Sequence, residues 1–158
     1  MNPFAHPVPA VQTLAELEHG SVLRLAAVKD DFPPDSPRPL RTHFELSSED
    51  KKAVEQGKSA LLSVWDAGRT TEEQAKSFRQ DTRETIAFLL EVTSIRAVCV
   101  PDRTRCLRVL RAPLPPPECE RPGAAGHCGI DGLKRPENEP KSVVKGMQLR
   151  LAELAVRM

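Results

Sequence analysis

His127 and Cys128 stand side by side in a stretch, Gly123 to Leu133, where glycine recurs at 123, 126, 129 and 132. A thiol beside an imidazolium can lose its proton and act as a nucleophile. Neighbours in an extended segment point to opposite sides, so the pair needs a partner from elsewhere, such as His43. The glycines allow close backbone approach, and Gly126, His127 and Gly129 could cradle an anion with their N–H groups. The segment has no Lys-Ser/Thr ending of a phosphate-binding loop. The plainer reading is a tight structural loop that seats Ile130 and Leu133 in the core, with a small buried cysteine beside a hydrogen-bonded histidine.

The four cysteines, Cys99, Cys106, Cys119 and Cys128, are candidate metal ligands by number. Together with His127 they leave gaps of six, twelve and seven or eight residues. None matches the two-residue knuckle of a zinc finger, so no metal or other cofactor is assigned. The N-terminal MNPFAHPVPAVQ has no basic start, and prolines break its apolar positions, unlike a signal peptide. The expected compartment is therefore a reducing cytoplasm, with the cysteines as thiols or ligands rather than disulfides.

Arg96, Arg103, Arg105, Arg108 and Arg111 face only one nearby acid, Asp102. The arginine fork suits phosphate and carboxylate recognition. No aromatic is interleaved for base stacking, which favours a solvated face or an internal match to acidic residues. Asp66 and Arg69 follow a strand pattern, where a carboxylate either does chemistry or caps the turn; no partner carboxylate is evident.

These residues need a scaffold, and the patterning predicts one. Short helices are expected at Thr13–Gly20, Ser47–Gly57 and from Thr70 to about Gln80, the last opened by a Thr70/Glu73 capping box. Strands are expected at Ser21–Val28, Leu40–Leu46 and Ser59–Asp66. The last of these is apolar on both faces and hence central. Thr85–Val92 reads as a strand, with a helix continuing from Thr71 as the alternative. Ala97–Val100 and Cys106–Ala112 form hairpin arms about a turn at 101–104, and Glu118–Asn138 reads as loop. An amphipathic helix closes the chain over Lys141–Met158, burying Val144, Met147, Leu151, Leu154 and Met158. The fold class is α+β, a mostly antiparallel sheet with two to four helices. One domain spans 1–158, with an extended proline-rich arm at 1–10 and irregular proline- and glycine-rich loops at 29–39 and 113–140.

Composition sets the outer limits. Fifteen of 158 residues are proline, about twice the usual share, and they fall outside the expected elements. The longest apolar run, Ile86 to Leu90, is far short of the roughly 18 residues that span a membrane. The net charge of +1 conceals a front, residues 1–95, at −4 and a back, residues 96–158, at +5.

The segments SVWDAGRTTEEQA and HCGIDGL, with the helix ending RLAELA, resemble a loose set of small bacterial proteins over about the last two-thirds of the chain. The arginine-, alanine- and proline-rich usage resembles that of a GC-rich bacterial genome. The resemblance names no site residue. By class it implies an accessory member of a toxin–immunity or antiviral-defence gene set. The expectation is a non-enzymatic bacterial protein acting through contacts with another protein. The alternatives are a nucleic-acid-binding component using the Arg96–Arg111 hairpin, and a small cysteine- or zinc-dependent enzyme.

Overall fold

Leu62, Val64 and Trp65 cannot all reach one side of a strand, so a strand carrying them must be covered on both faces. The computed structural model, which describes residues 14–27, 36, 38–46, 61–79 and 84–158, places that strand at the centre of a sheet. In chain order the strands are β1 (Glu16–Leu17), β2 (Ser21–Ala27), β3 (Leu62–Asp66), β4 (Thr85–Glu91), β5 (Arg108–Arg111), β6 (His127–Asp131) and β7 (Val156–Arg157). They pair antiparallel throughout, in the order β1-β5-β6-β3-β2-β4-β7. With α1 (Glu72–Ser77), α2 (Val92–Arg96) and α3 (Lys141–Leu154) among the described residues, the fold is α+β and mostly sheet. None of these helices is long and apolar enough to cross a membrane.

Alternation sorts the side chains into two cores. Leu62 and Val64 join Val22, Phe88, Val109, Cys128 and Ile130 under α2 and α3. Trp65 goes to the other face with Leu23, Leu25, Ala75 of α1 and Ala87. Within α3, Val144, Met147 and Leu151 are buried, as their spacing of three and four predicts. Burying a leucine such as Leu151 contributes roughly 1.5–3 kcal/mol.

The strand at 85–92 is confirmed over the helical alternative. β4 pairs with β2 over seven residues, from Ser21 opposite Glu91 to Ala27 opposite Thr85. A long antiparallel partner gives the IAFLL run a use on both faces that a helix on one face would not.

Several expectations are corrected. Thr13–Gly20 is no helix where described: Glu16 and Leu17 pair with Leu110 and Val109 of β5. So short a helix has an unfavourable nucleus, and an open sheet edge satisfies the same backbone groups. Leu40–Leu46 is not a strand but contains a 3₁₀ turn at Arg41–Phe44. The His43 ring accepts from the Leu40 N–H at 3.0 Å, and the His43 N–H donates to the Leu40 carbonyl at 3.0 Å. Arg41 then ties the turn to α3 by donating to Gln148 Oε1 at 2.7 Å.

Helix α1 starts one residue later than expected and ends at Ser77. Its capping box joins Thr71 and Gln74, while Thr70 Oγ1 donates to the Gly123 carbonyl at 2.7 Å. The loop expected at 113–140 contains β6. The final helix ends at Leu154, so Met158 lies beyond it and is exposed. The arm at 1–10, the helix at Ser47–Gly57 and most of the loop at 29–39 lie outside the described residues.

Cys99 and Cys106 are disulfide-bonded, which corrects the expectation of thiols or metal ligands. They face each other between two backbone bonds, Val100 N–H to Arg105 O and Leu107 N–H to Val98 O, each 2.9 Å. That is the non-hydrogen-bonded site of an antiparallel pair, where the strands approach most closely. Their Cα atoms are 3.9 Å apart.

Candidate functional site

The sheet brings three of the five expected arginines to one place. Arg96 at the end of α2, Arg105 on the Cys99–Cys106 hairpin and Arg108 on β5 line an open cleft of about 820 Å³ with Glu16, Asp131 and Lys134. Each arginine meets a carboxylate. Arg96 Nε lies 3.2 Å from Glu16 Oε1, and Arg108 Nη2 lies 2.7 Å from Asp131 Oδ2. Arg105 holds Glu139 with Nη1 and Nη2 and also donates to the Gly132 carbonyl from Nε at 3.3 Å. The hydrogen bond from Arg105 holds the Glu139 carboxyl below its ordinary pKa.

The other two arginines go elsewhere. Arg103 sits exposed at the hairpin turn with a positive φ of 62°. Arg111 points back towards β3 and donates to Asp66 Oδ2 at 3.2 Å. Asp66 Oδ1 accepts from the Gly68 N–H at 2.9 Å, so this carboxylate orients the turn after β3.

Lys134 links the cleft to a second groove of about 600 Å³, whose wall includes Arg135, Lys141 and Lys145. A basic track thus runs from Arg96 past the end of β6 to the first turn of α3. Neither wall includes an aromatic side chain among the described residues.

The glycine segment is closely packed. A Cβ on Gly126 would collide with Thr70 Oγ1, and one on Gly129 would come within 2.5 Å of Leu61 Cβ. Both glycines are required by close packing of β6 and the turn before it against their neighbours. Ile130 and Leu133 are buried, as expected.

The four cysteines do not converge. Two form the disulfide, Cys128 is buried and Cys119 is exposed. Among the described residues, no three His, Cys, Asp or Glu side chains are grouped to hold a metal ion. Burial pushes the Cys128 thiol up to about 11, so it stays protonated and unreactive near neutral pH.

His127 lies on the opposite face of β6 from Cys128, and its partner is Ser63. Ser63 Oγ is 2.8 Å from His127 Nε2, and His127 Nδ1 is 2.6 Å from the Ala112 carbonyl oxygen. A carbonyl can only accept, so Nδ1 carries the ring proton and Nε2 of the neutral ring accepts from the serine hydroxyl. The ring packs edge-on against Trp65, centroids 4.7 Å apart, and burial pushes its pKa down.

Ser63, Glu16, Asp131, Lys134 and Glu139 are absent from the residues picked out in the sequence. Ser63 did leave a signal, as the one polar position between Leu61 and Trp65 on a face otherwise apolar. Glu139 left none, since only the fold brings it to Arg105 across 34 positions.

No protein-family model, curated protein or solved structure matches the chain.

Proposed function

We propose that this protein is a binding protein whose recognition surface is the basic track from Arg96 to Lys145, and whose partner is another protein presenting an acidic segment. The observation that carries the proposal is the convergence of Arg96, Arg105, Arg108 and Lys134 on one open cleft that continues to Arg135, Lys141 and Lys145. A guanidinium has five N–H donors in a fixed fork. Arg96 and Arg108 each engage one internal carboxylate oxygen, which leaves donors for a further carboxylate.

One feature favours a polypeptide over nucleic acid: among the described residues, no aromatic lines the track to stack a base.

The test is fluorescence anisotropy with a labelled glutamate-rich peptide, set beside labelled single- and double-stranded DNA. Peptide binding that weakens at high salt and is lost in Arg108→Glu supports the proposal. Tighter binding of either DNA probe overturns it in favour of nucleic acid. Absence of peptide binding at low salt also overturns it.

A further inference from the structure

Ser63 is exposed in the middle of β3, a strand otherwise buried from Leu62 to Asp66. Its cross-strand partner is Gly129, and His127 is the diagonal neighbour, opposite Trp65. The missing side chain at Gly129 leaves the imidazole as the group that reaches the serine from β6. The ring is fixed at its other end by the Ala112 carbonyl and on its flank by Trp65. The backbone bond from the Ala112 N–H to the His127 carbonyl, 3.0 Å, holds the same two residues in register.

Ser63 also borders a recess of about 150 Å³ lined by Arg24, Leu25, Trp65, Phe78 and Arg79. Trp65 and Phe78 stack with centroids 4.7 Å apart and form an apolar wall. Arg24 donates from Nη1 to the Ser63 carbonyl at 2.8 Å, which places a cation beside the serine.

We propose that Ser63 and His127 are a nucleophile and its general base, and that the recess accepts the acyl group of a small carboxylic ester. The parts are those of acyl transfer: a hydroxyl hydrogen-bonded to a neutral imidazole whose tautomer a third group fixes. Here that third group is a backbone carbonyl.

In the first step Ser63 Oγ attacks the ester carbonyl carbon, and its proton passes to His127 Nε2. The tetrahedral intermediate collapses, the bond to the alcohol oxygen breaks, and Nε2 returns the proton to the departing alcohol. This leaves an acyl ester on Ser63. Water then adds to that ester with His127 again accepting a proton. Collapse releases the carboxylic acid and restores the serine hydroxyl. Arg24 and Arg79 make the wall of the recess cationic. The recess volume limits the acyl group to a few heavy atoms. This site is separate from the basic track, and neither reading requires the other.

The test uses the full-length chain with p-nitrophenyl acetate. We expect release of p-nitrophenolate and an acetyl group mapped to Ser63 by peptide mass spectrometry. Ser63→Ala should abolish both, and because Ser63 is exposed this variant should keep the parent circular dichroism. Ser63→Cys should restore acetyl transfer, now to the thiol. His127→Gln should slow the release about a hundredfold, within the range for loss of a general base. Arg150→Ala, at an exposed position of α3 outside both sites, should leave the rate unchanged. An unmodified Ser63 in the wild-type chain, or a folded Ser63→Ala variant that retains the rate, overturns the proposal.

Discussion

Arg105 grips Glu139 with both arms of its guanidinium, Nη1 to Oε1 at 2.7 Å and Nη2 to Oε2 at 3.0 Å. The pair spans 34 positions and ties the Cys99–Cys106 hairpin to the segment leading into α3. Bidentate geometry and partial burial separate it from an ordinary surface ion pair, though solvent still screens it. We expect Arg105→Ala and Glu139→Gln each to destabilise the chain, with a coupling of about 1 kcal/mol in a double-mutant cycle followed by urea denaturation. Because Arg105 lowers the Glu139 pKa, this stability is present above the ordinary glutamate pKa of 4.5 and is lost as pH falls below it. A coupling unchanged between pH 7 and pH 3 would contradict this assignment.

The Cys99–Cys106 disulfide closes a short loop, seven positions apart, on one wall of the cleft. Chain-entropy arguments assign a loop of this size about 2–3 kcal/mol. Reduction with dithiothreitol, or Cys99→Ser with Cys106→Ser, should lower the denaturation midpoint correspondingly. Arg105 stands next to Cys106, so loosening the hairpin should also weaken the glutamate-rich peptide in the anisotropy assay. Identical midpoints for oxidised and reduced protein would show that the bond does not constrain the chain.

Gly129 has no room for a side chain, since Leu61 already occupies the position above it. Gly129→Ala should cost roughly 1–3 kcal/mol, as overpacking does. Shortening the obstructing residue should relieve the strain. The nearest obstructing atom is Leu61 Cβ, which only glycine removes, so we expect Leu61→Gly combined with Gly129→Ala to be more stable than the sum of the single effects predicts. Strict additivity in thermal melts would mean that the two residues do not collide.

His127 binds its proton less readily in the folded chain than in the unfolded one, because burial disfavours the charged ring. Its contribution is therefore fully present above the unfolded value of 6.5 and declines as pH falls through that value. Thermal midpoints measured from pH 8 to pH 5 should drop more steeply for the wild-type chain than for His127→Gln. Parallel curves would remove this role for His127.

Much of the sheet was legible from local pattern. Two-sided apolar alternation marked β3 as central, and the spacing of Val144, Met147 and Leu151 marked the buried stripe of α3. Gly126 and Gly129 were legible as important, but the close packing that requires them was not. Glycine permits both an anion cradle and a close approach, and only the tertiary structure places Thr70 and Leu61 against these two positions. β6 was hidden because a strand that is rich in glycine lacks the β-branched run that identifies one.

The sequence by itself determined the α+β class, the central strand, the amphipathic helix and the charge asymmetry between front and back. These follow from periodicity and composition, which are local properties of the chain. The tertiary structure decided which side chains meet. It set Arg96 against Glu16, Arg105 against Glu139, Cys99 against Cys106 and His127 against Ser63. Strand order and register fix such pairs, and both depend on how the whole sheet closes over its two cores.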